Sequence, residues 1–231
     1  MTILQYFMEY NRYMNVLGIG VVILIAYLFS SNKSKVNWQL VFRALGMQFA
    51  IGYLALKTRA GEMVLKSLAD GVQNVYSFAD SGSKFLFGSL ASPEFFAFKV
   101  LPIIIFFGAL MSLLSHFGIV QAIVGFVNFL IRPVLGTTGT ETLCAVSNSF
   151  LGQTEAPLLI KNYLKNITKS EMFVVMVSGM ATISGAILAV YASFGVPIKH
   201  LLAASVMAIP ASILVAKIMM PEVEKQKVGN D

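Results

Sequence analysis

The chain has 231 residues, of which 57% are hydrophobic and 12% charged, with a mean hydropathy of +0.76. Soluble domains carry about 45–50% apolar and about 25% charged residues, so this composition excludes a water-soluble fold, and it excludes disorder too. The formal net charge is +6, but the basic residues lie between apolar spans and no aromatic–basic platform is present. They therefore read as topology signals, and nucleic acid is not an expected partner. A single cysteine, Cys144, excludes an internal disulfide framework. The fold class is all-α integral membrane, with the lipid bilayer as solvent.

The first apolar run, residues 14–31, carries no charge through Phe29 and nearly reaches the ~20 residues that cross a bilayer core. Arg12 precedes it, as in a signal peptide. No small-x-small cleavage site follows, only Ser30, Ser31, Asn32 and Lys33, so the helix is read as retained. A second span covers residues 36–56, with Trp38 as interfacial anchor and Arg43 able to snorkel. Residues 63–90 are amphipathic, with Asp70, Gln73, Asn74, Asp80 and Lys84 among apolar side chains. They form a helix lying on the membrane surface or one covering other helices.

Ser92, Pro93 and Glu94 read as a helix start, with cap, first-turn proline and an acid at the positive end of the dipole. The third span follows at residues 95–117 and ends near His116, an isolated interfacial histidine. A second amphipathic stretch covers residues 119–135. The fourth and fifth spans are residues 171–194 and 198–219, the fifth interrupted by Pro210, and a polar, frayed tail closes the chain. With the N-terminus outside, nine basic residues lie inside (Lys33, Lys35, Arg132, Lys161, Lys165, Lys169, Lys217, Lys225, Lys227). Six lie outside (Arg12, Lys57, Arg59, Lys66, Lys84, Lys199), so the bias favours N-out and, after five crossings, C-in. The chain thus divides into residues 1–62 (two spans), 63–117 (amphipathic helix and third span), 118–219 (second amphipathic helix, the polar unit 137–166, fourth and fifth spans) and the tail 220–231.

The chemistry concentrates in residues 137–166. Two short apolar segments, 139–150 and 157–164, flank a polar turn of Leu151, Gly152, Gln153, Thr154 and Glu155. A 12-residue helix is about 18 Å long, too short to cross. The economical geometry is a re-entrant helical hairpin that enters and leaves by one side, with Gly152 at the turn and Pro157 in the first turn of the returning half. Non-helical backbone at membrane depth is tolerated where it is buried in protein or lines a wet cavity. Gln153, Thr154 and Glu155 offer an amide, a hydroxyl and a carboxylate to a polar, uncharged solute. The plain alternative is a cytoplasmic loop between packed helices.

The fourth span has a matching irregularity at residues 178–186, rich in small residues and hydroxyls. Gly179, Ala181, Gly185 and Ala186 allow close helix packing, while Thr182 and Ser184 provide oxygens that a partly unwound helix could lend to a hard cation. No Ser/His/Asp set, metal-ligand spacing or phosphate loop is present, so no catalytic residue and no enzyme activity are expected.

The string Asn148-Ser-Phe-Leu-Gly-Gln-Thr-Glu-Ala-Pro-Leu158 closely resembles the first re-entrant hairpin of the concentrative nucleoside transporters. Residues 95–107 resemble that family's long third helix and residues 179–189 its discontinuous fourth. The resemblance covers almost the whole chain, as the first repeat of the nucleoside transporter fold. It implies Na+- or H+-coupled nucleoside uptake across the cytoplasmic membrane, by an elevator-like movement in a homotrimer, with no other cofactor. Carried over by position, Gln153, Thr154, Glu155 and Ile187 contact the nucleoside. Asn148 and Thr182 side chains and the Leu151 and Ile183 carbonyls hold the cation. Thr182 stands where the family often has serine, and Gly185-Ala186 where it has paired glycines. Members run to roughly twice this length, with a second repeat that completes the site. The chain then acts with a partner supplying the C-terminal half. The alternative is a truncated or split half-transporter serving as a non-transporting membrane gate or scaffold module.

Overall fold

Backbone N–H and C=O groups find no water in a bilayer core, so an apolar chain spans it as helices or as a closed barrel. The structure, a computed structural model, describes residues 12–91 and 95–224, and every regular element among them is helical. In chain order these are α1 (Arg12–Leu28), α2 (Trp38–Lys57), α3 (Arg59–Phe87), α4 (Phe96–His116), α5 (Ile119–Leu135), α6 (Gly139–Asn148), α7 (Ala156–Leu159), α8 (Lys169–Ala181), α9 (Gly185–Ser193) and α10 (Ile198–Met219). By length and composition, α2, α4, α10 and the unit Lys169–Ser193 can each cross a membrane, whereas Met14–Leu28 and Ile119–Leu135 are shorter apolar helices. The helix start expected at Ser92, Pro93 and Glu94 lies outside the described residues. Pro210 does not interrupt the last span. It is buried inside a continuous α10, whose neighbours hold the helix together where one backbone bond is lost.

The amphipathic helix α3 begins four residues earlier than the hydropathy pattern suggests, because Thr58 alone separates it from α2. Thr58 Oγ1 donates to the Leu54 carbonyl at 2.6 Å and accepts from Gly61 N at 3.0 Å, so one hydroxyl ends α2 and caps α3. The bend is tight enough that a Cβ on Gly61 would collide with the Leu54 carbonyl. Helix α3 packs on α2, α4 and α10 through Leu65, Ala79 and Ser83. Helix α5 likewise buries one face (Val120, Val124, Ile131, Leu135) and leaves Phe126 and Phe129 exposed.

Helix α10 is the centre of the packing, touching α1, α2, α3, α6, α8 and α9. It buries 56% of its span, against 17% for α2 and for α4, whose outer faces carry exposed Phe42, Phe49, Leu101 and Ile105. Such an inside-out surface suits lipid, which competes poorly with close packing only where helices meet.

A polar clamp closes one end of this bundle. Lys217 in the last turn of α10 pairs with Glu141 Oε2 in the first turn of α6 at 2.7 Å, and it donates to Ser170 Oγ in the first turn of α8 at 3.0 Å. Glu222 accepts from Lys217 at 3.2 Å and from Thr168 Oγ1 at 2.9 Å, so the tail's first residues are tied down rather than frayed. Two capping arrangements feed the clamp: Glu141 Oε1 accepts from Thr138 N at 2.8 Å and Glu171 Oε2 from Thr168 N at 2.8 Å. Lys217, counted from sequence as a topology residue, is thus a buried structural cation with 8% side-chain exposure. The turn between α1 and α2 joins the same end through Ser31 N to Met219 O at 2.8 Å.

Removing one partner of a buried pair leaves an uncompensated charge, at about 3–5 kcal/mol. Lys217→Met is expected to destabilise the protein by about that amount, and adding Glu141→Gln to recover most of the loss. Unfolding in detergent, followed by fluorescence of the single tryptophan, Trp38, measures both.

Candidate functional site

Helix α6 runs from its cap at Thr138 to Asn148, and the chain then turns on itself. Phe150 N and Leu151 N both donate to the Ser147 carbonyl, at 3.0 and 2.8 Å, and Glu155 N and Ala156 N both donate to the Gly152 carbonyl at 3.0 Å. These bonds satisfy part of the backbone of the turn. The halves are shorter than the sequence reading: the first helix stops at Asn148, and the returning α-helix holds only Ala156–Leu159 before a 3-10 turn at Lys161–Tyr163. Pro157 takes the early-turn position expected of it. Gly152 is not held by a left-handed backbone, and a Cβ there would meet nothing closer than Thr154 Oγ1 at 3.8 Å.

The fourth span is broken where its composition suggests. Helix α8 ends at Ala181, Thr182 is extended, and Ser184 caps α9, its Oγ accepting from Ile187 N at 3.5 Å. The turn of the hairpin sits against this break. Gly185 N donates to the Phe150 carbonyl at 3.3 Å. Packing at Gly179 is tight, since a Cβ there would lie 3.1 Å from Gln153 Cβ and 3.7 Å from Asn148 Oδ1. Ser149 Oγ donates to the Ser205 carbonyl of α10 at 3.2 Å, fixing the end of α6.

The residues marked from the sequence separate into two sets. Asn148 and Leu151 are buried, and Thr182 and Ile183 half-buried, at the contact between hairpin and break. Gln153, Thr154 and Glu155 are exposed on the tip, and Ile187, 38% exposed, stands in the first turn of α9. Asn148 is 1% exposed and donates Nδ2 to Ser178 Oγ at 2.9 Å, while its buried Oδ1 has no hydrogen-bond partner. An orphaned buried acceptor is costly unless a ligand satisfies it. Thr182 Oγ1 spends its proton on the Ser178 carbonyl at 2.8 Å, leaving lone pairs free. Among the described residues, the Leu151 and Ile183 carbonyls accept no backbone hydrogen bond. All of these oxygens are neutral, the chemistry that a hard monovalent cation takes.

Two residues given no individual role from the sequence organise the contact: Ser178, at the start of the hydroxyl-rich patch, which orients Asn148, and Phe150, whose carbonyl holds Gly185. Ser178 lies one helical turn before Thr182, and that spacing was the available signal.

Two family models match the chain, one described as Na+ dependent nucleoside transporter N-terminus over residues 17–90 and one described as nucleoside recognition over residues 97–197. The chain is 43% identical over 211 residues to solute carrier family 28 member 3 of Rattus norvegicus, covering 91% of this chain and 30% of that protein. It is 43% identical over 210 residues to sodium/nucleoside cotransporter 1 of Sus scrofa (91% and 32% covered). An uncharacterized transporter of Haemophilus influenzae is 43% identical over 226 residues (94% and 54% covered). Among solved structures, CNTnw in an inward-facing substrate-bound state matches with a TM-score of 0.86 at 37% identity, over 94% of this chain and 55% of that one. The chain therefore spans about half the length, or less, of the relatives it matches, and those relatives are transporters rather than enzymes. Its apolar helices, both family models and its identity to these proteins lead to one conclusion: this multi-pass membrane chain belongs to the concentrative nucleoside transporter family.

Proposed function

We propose that this chain supplies one half of a Na+-coupled nucleoside transport site. The observation that carries the reading is the pairing of an exposed polar tip with an orphaned acceptor directly behind it. Gln153, Thr154 and Glu155 present an amide, a hydroxyl and a carboxylate outward, which suits the donor and acceptor edges of a nucleobase, with Ile187 as an apolar wall. Asn148 Oδ1, Thr182 Oγ1 and the Leu151 and Ile183 carbonyls would hold Na+ behind the tip, and the cation would brace the hairpin against the α8–α9 break. Na+ then supplies positive charge at the contact, and the tip becomes ordered for the solute. This is coupling by shared order: each ligand stabilises the arrangement the other needs.

The hairpin is re-entrant in this reading. Its tip is exposed because the opposing face of the site, including the groups for the ribose, belongs to a second repeat in this or another polypeptide. The complete transporter is a homotrimer in the cytoplasmic membrane. The N-terminus faces outside and the C-terminus inside, a reading supported by the excess of basic residues on the inner side. A second reading, a non-transporting gate or scaffold module, rests on the same exposed tip, since one face alone recognises a solute weakly.

Three outcomes follow. Co-expressed with the C-terminal part of a full-length relative, the chain drives uptake of labelled uridine in a transport-deficient cell, and Glu155→Gln lowers that uptake about tenfold or more, as loss of a charge-assisted hydrogen bond implies. Absence of uptake in every combination favours the scaffold reading. NaCl, but not choline chloride, raises the thermal midpoint of the purified chain, and Asn148→Leu removes that increment; an unchanged increment would exclude the assigned cation site. Gly179→Val, which drives a side chain into Gln153, lowers apparent Na+ affinity about tenfold without lowering membrane expression, read from the Na+ dependence of uptake.

A further inference from the structure

A second polar locus lies away from the hairpin tip, at the corner between α5 and α6. Two arginines bracket it. The Arg43 guanidinium, from α2, lies 3.5 Å from where a Cβ on Gly136 would stand, and the Arg132 guanidinium, from the last turn of α5, lies 3.5 Å from the same point on Gly139. Both side chains are exposed, and neither forms an ion pair among the described residues. The carboxylate nearest in sequence, Glu141, is committed to Lys217 and to Thr138 N. Two unneutralised guanidinium groups held at one corner repel each other, and an anion between them relieves that repulsion.

The corner also has room and hydroxyls. A cavity of about 600 Å3 is lined by Asn128, Arg132, Thr137, Thr138, Thr140 and Tyr163, and Asn128 Oδ1 is buried without a partner. One turn before Arg132 on α5 stands Phe129 (76% exposed), with exposed Phe126 one turn before that, an apolar strip leading from the charged corner. The corner lies at the clamp end of the bundle, the end that also carries the turn holding Lys33 and Lys35. A ligand that fits these features together is charged at one end, hydroxylated around the charge and apolar beyond it.

We propose that the α5–α6 corner is a binding site for an anionic phospholipid. Its phosphodiester lies between Arg43 and Arg132, its hydroxylated headgroup fills the cavity against the threonines and Asn128, and its acyl chains lie on the Phe126–Phe129 strip. A free phosphate shares the headgroup chemistry but leaves the apolar strip unused. Phosphatidylcholine shares the acyl chains but brings its own cation next to two arginines. The site stands at the base of the hairpin, so an occupied corner would anchor the fixed end of the element whose tip is read as the solute site.

The test is native mass spectrometry of the purified full chain in detergent with equimolar phosphatidylglycerol and phosphatidylcholine. Phosphatidylglycerol is expected to be retained about tenfold or more in preference, the scale that two basic residues near an anionic headgroup imply. Arg43→Gln with Arg132→Gln should bring the preference close to parity. Arg43→Lys with Arg132→Lys should keep most of it, and Lys33→Gln with Lys35→Gln should leave it unchanged. Equal retention of both lipids by the unaltered protein overturns the proposal, and so does an equal loss in the Lys33/Lys35 variant, which would indicate diffuse charge attraction. Retention of inorganic phosphate alone, with the same arginine dependence and no lipid preference, assigns the corner to free phosphate and overturns the lipid. If the glutamine variant does not fold, the lysine variant and the unaltered protein's lipid preference decide the matter.

Discussion

The ion pair between Lys217 and Glu141 is the constraint on which the arrangement of the site depends. Hydrophobic burial cannot order helices in lipid as it does in water, because the surroundings are as apolar as the helices. Position must come from close packing and from polar groups that have no acceptable alternative partner. Here a single ammonium group collects the first turns of α6 and α8 and the residues after α10. The two elements that meet at the candidate site therefore start from one fixed point. Each is ten or thirteen residues long, so their far ends arrive together, Asn148 beside Ser178.

At that meeting point the packing is decided by absence. Gly179 has no side chain where Gln153 passes, and Gly185 has none where Met111 Cε would otherwise be 2.9 Å from a Cβ. Small residues in a membrane helix usually signal helix against helix. Here Gly179 makes room for Gln153 of the turn, while Gly185 makes room for Met111 of α4 and lies beside the Phe150 carbonyl. The same stretch thus answers to both readings of the sequence: it is a packing patch, and what packs on it is the hairpin.

Much of this fold was legible in the residues. Runs of apolar character placed the long helices to within a few positions, since length against bilayer thickness is a strong signal. The polar insertions at 153–155 and 182–184 stood out because nothing apolar explains them. Other features were hidden for physical reasons. The beginning of α3 at Arg59 depends on Thr58 serving two helices, which hydropathy does not register. The helical continuity through Pro210 depends on neighbours that cover the broken bond. Lys217 looked like an ordinary basic residue near a span end, because the partner that buries it lies 76 positions earlier, at Glu141. Gly152 was credited with a conformational role that the backbone does not require, whereas the glycine that matters for fit, Gly179, faces the hairpin from another helix.

The break between α8 and α9 has an electrical consequence. Helices α6 and α8 both finish at the hairpin contact, and each carries about half an elementary negative charge at its carbonyl end. Helix α9 begins a few residues away with the opposite sign. The interior of the molecule therefore holds a built-in field over a short distance, assembled wholly from peptide groups and indifferent to pH. A small cation entering that field would be drawn toward the carbonyl ends, and a dipolar solute would be turned along it, before any side chain touched them.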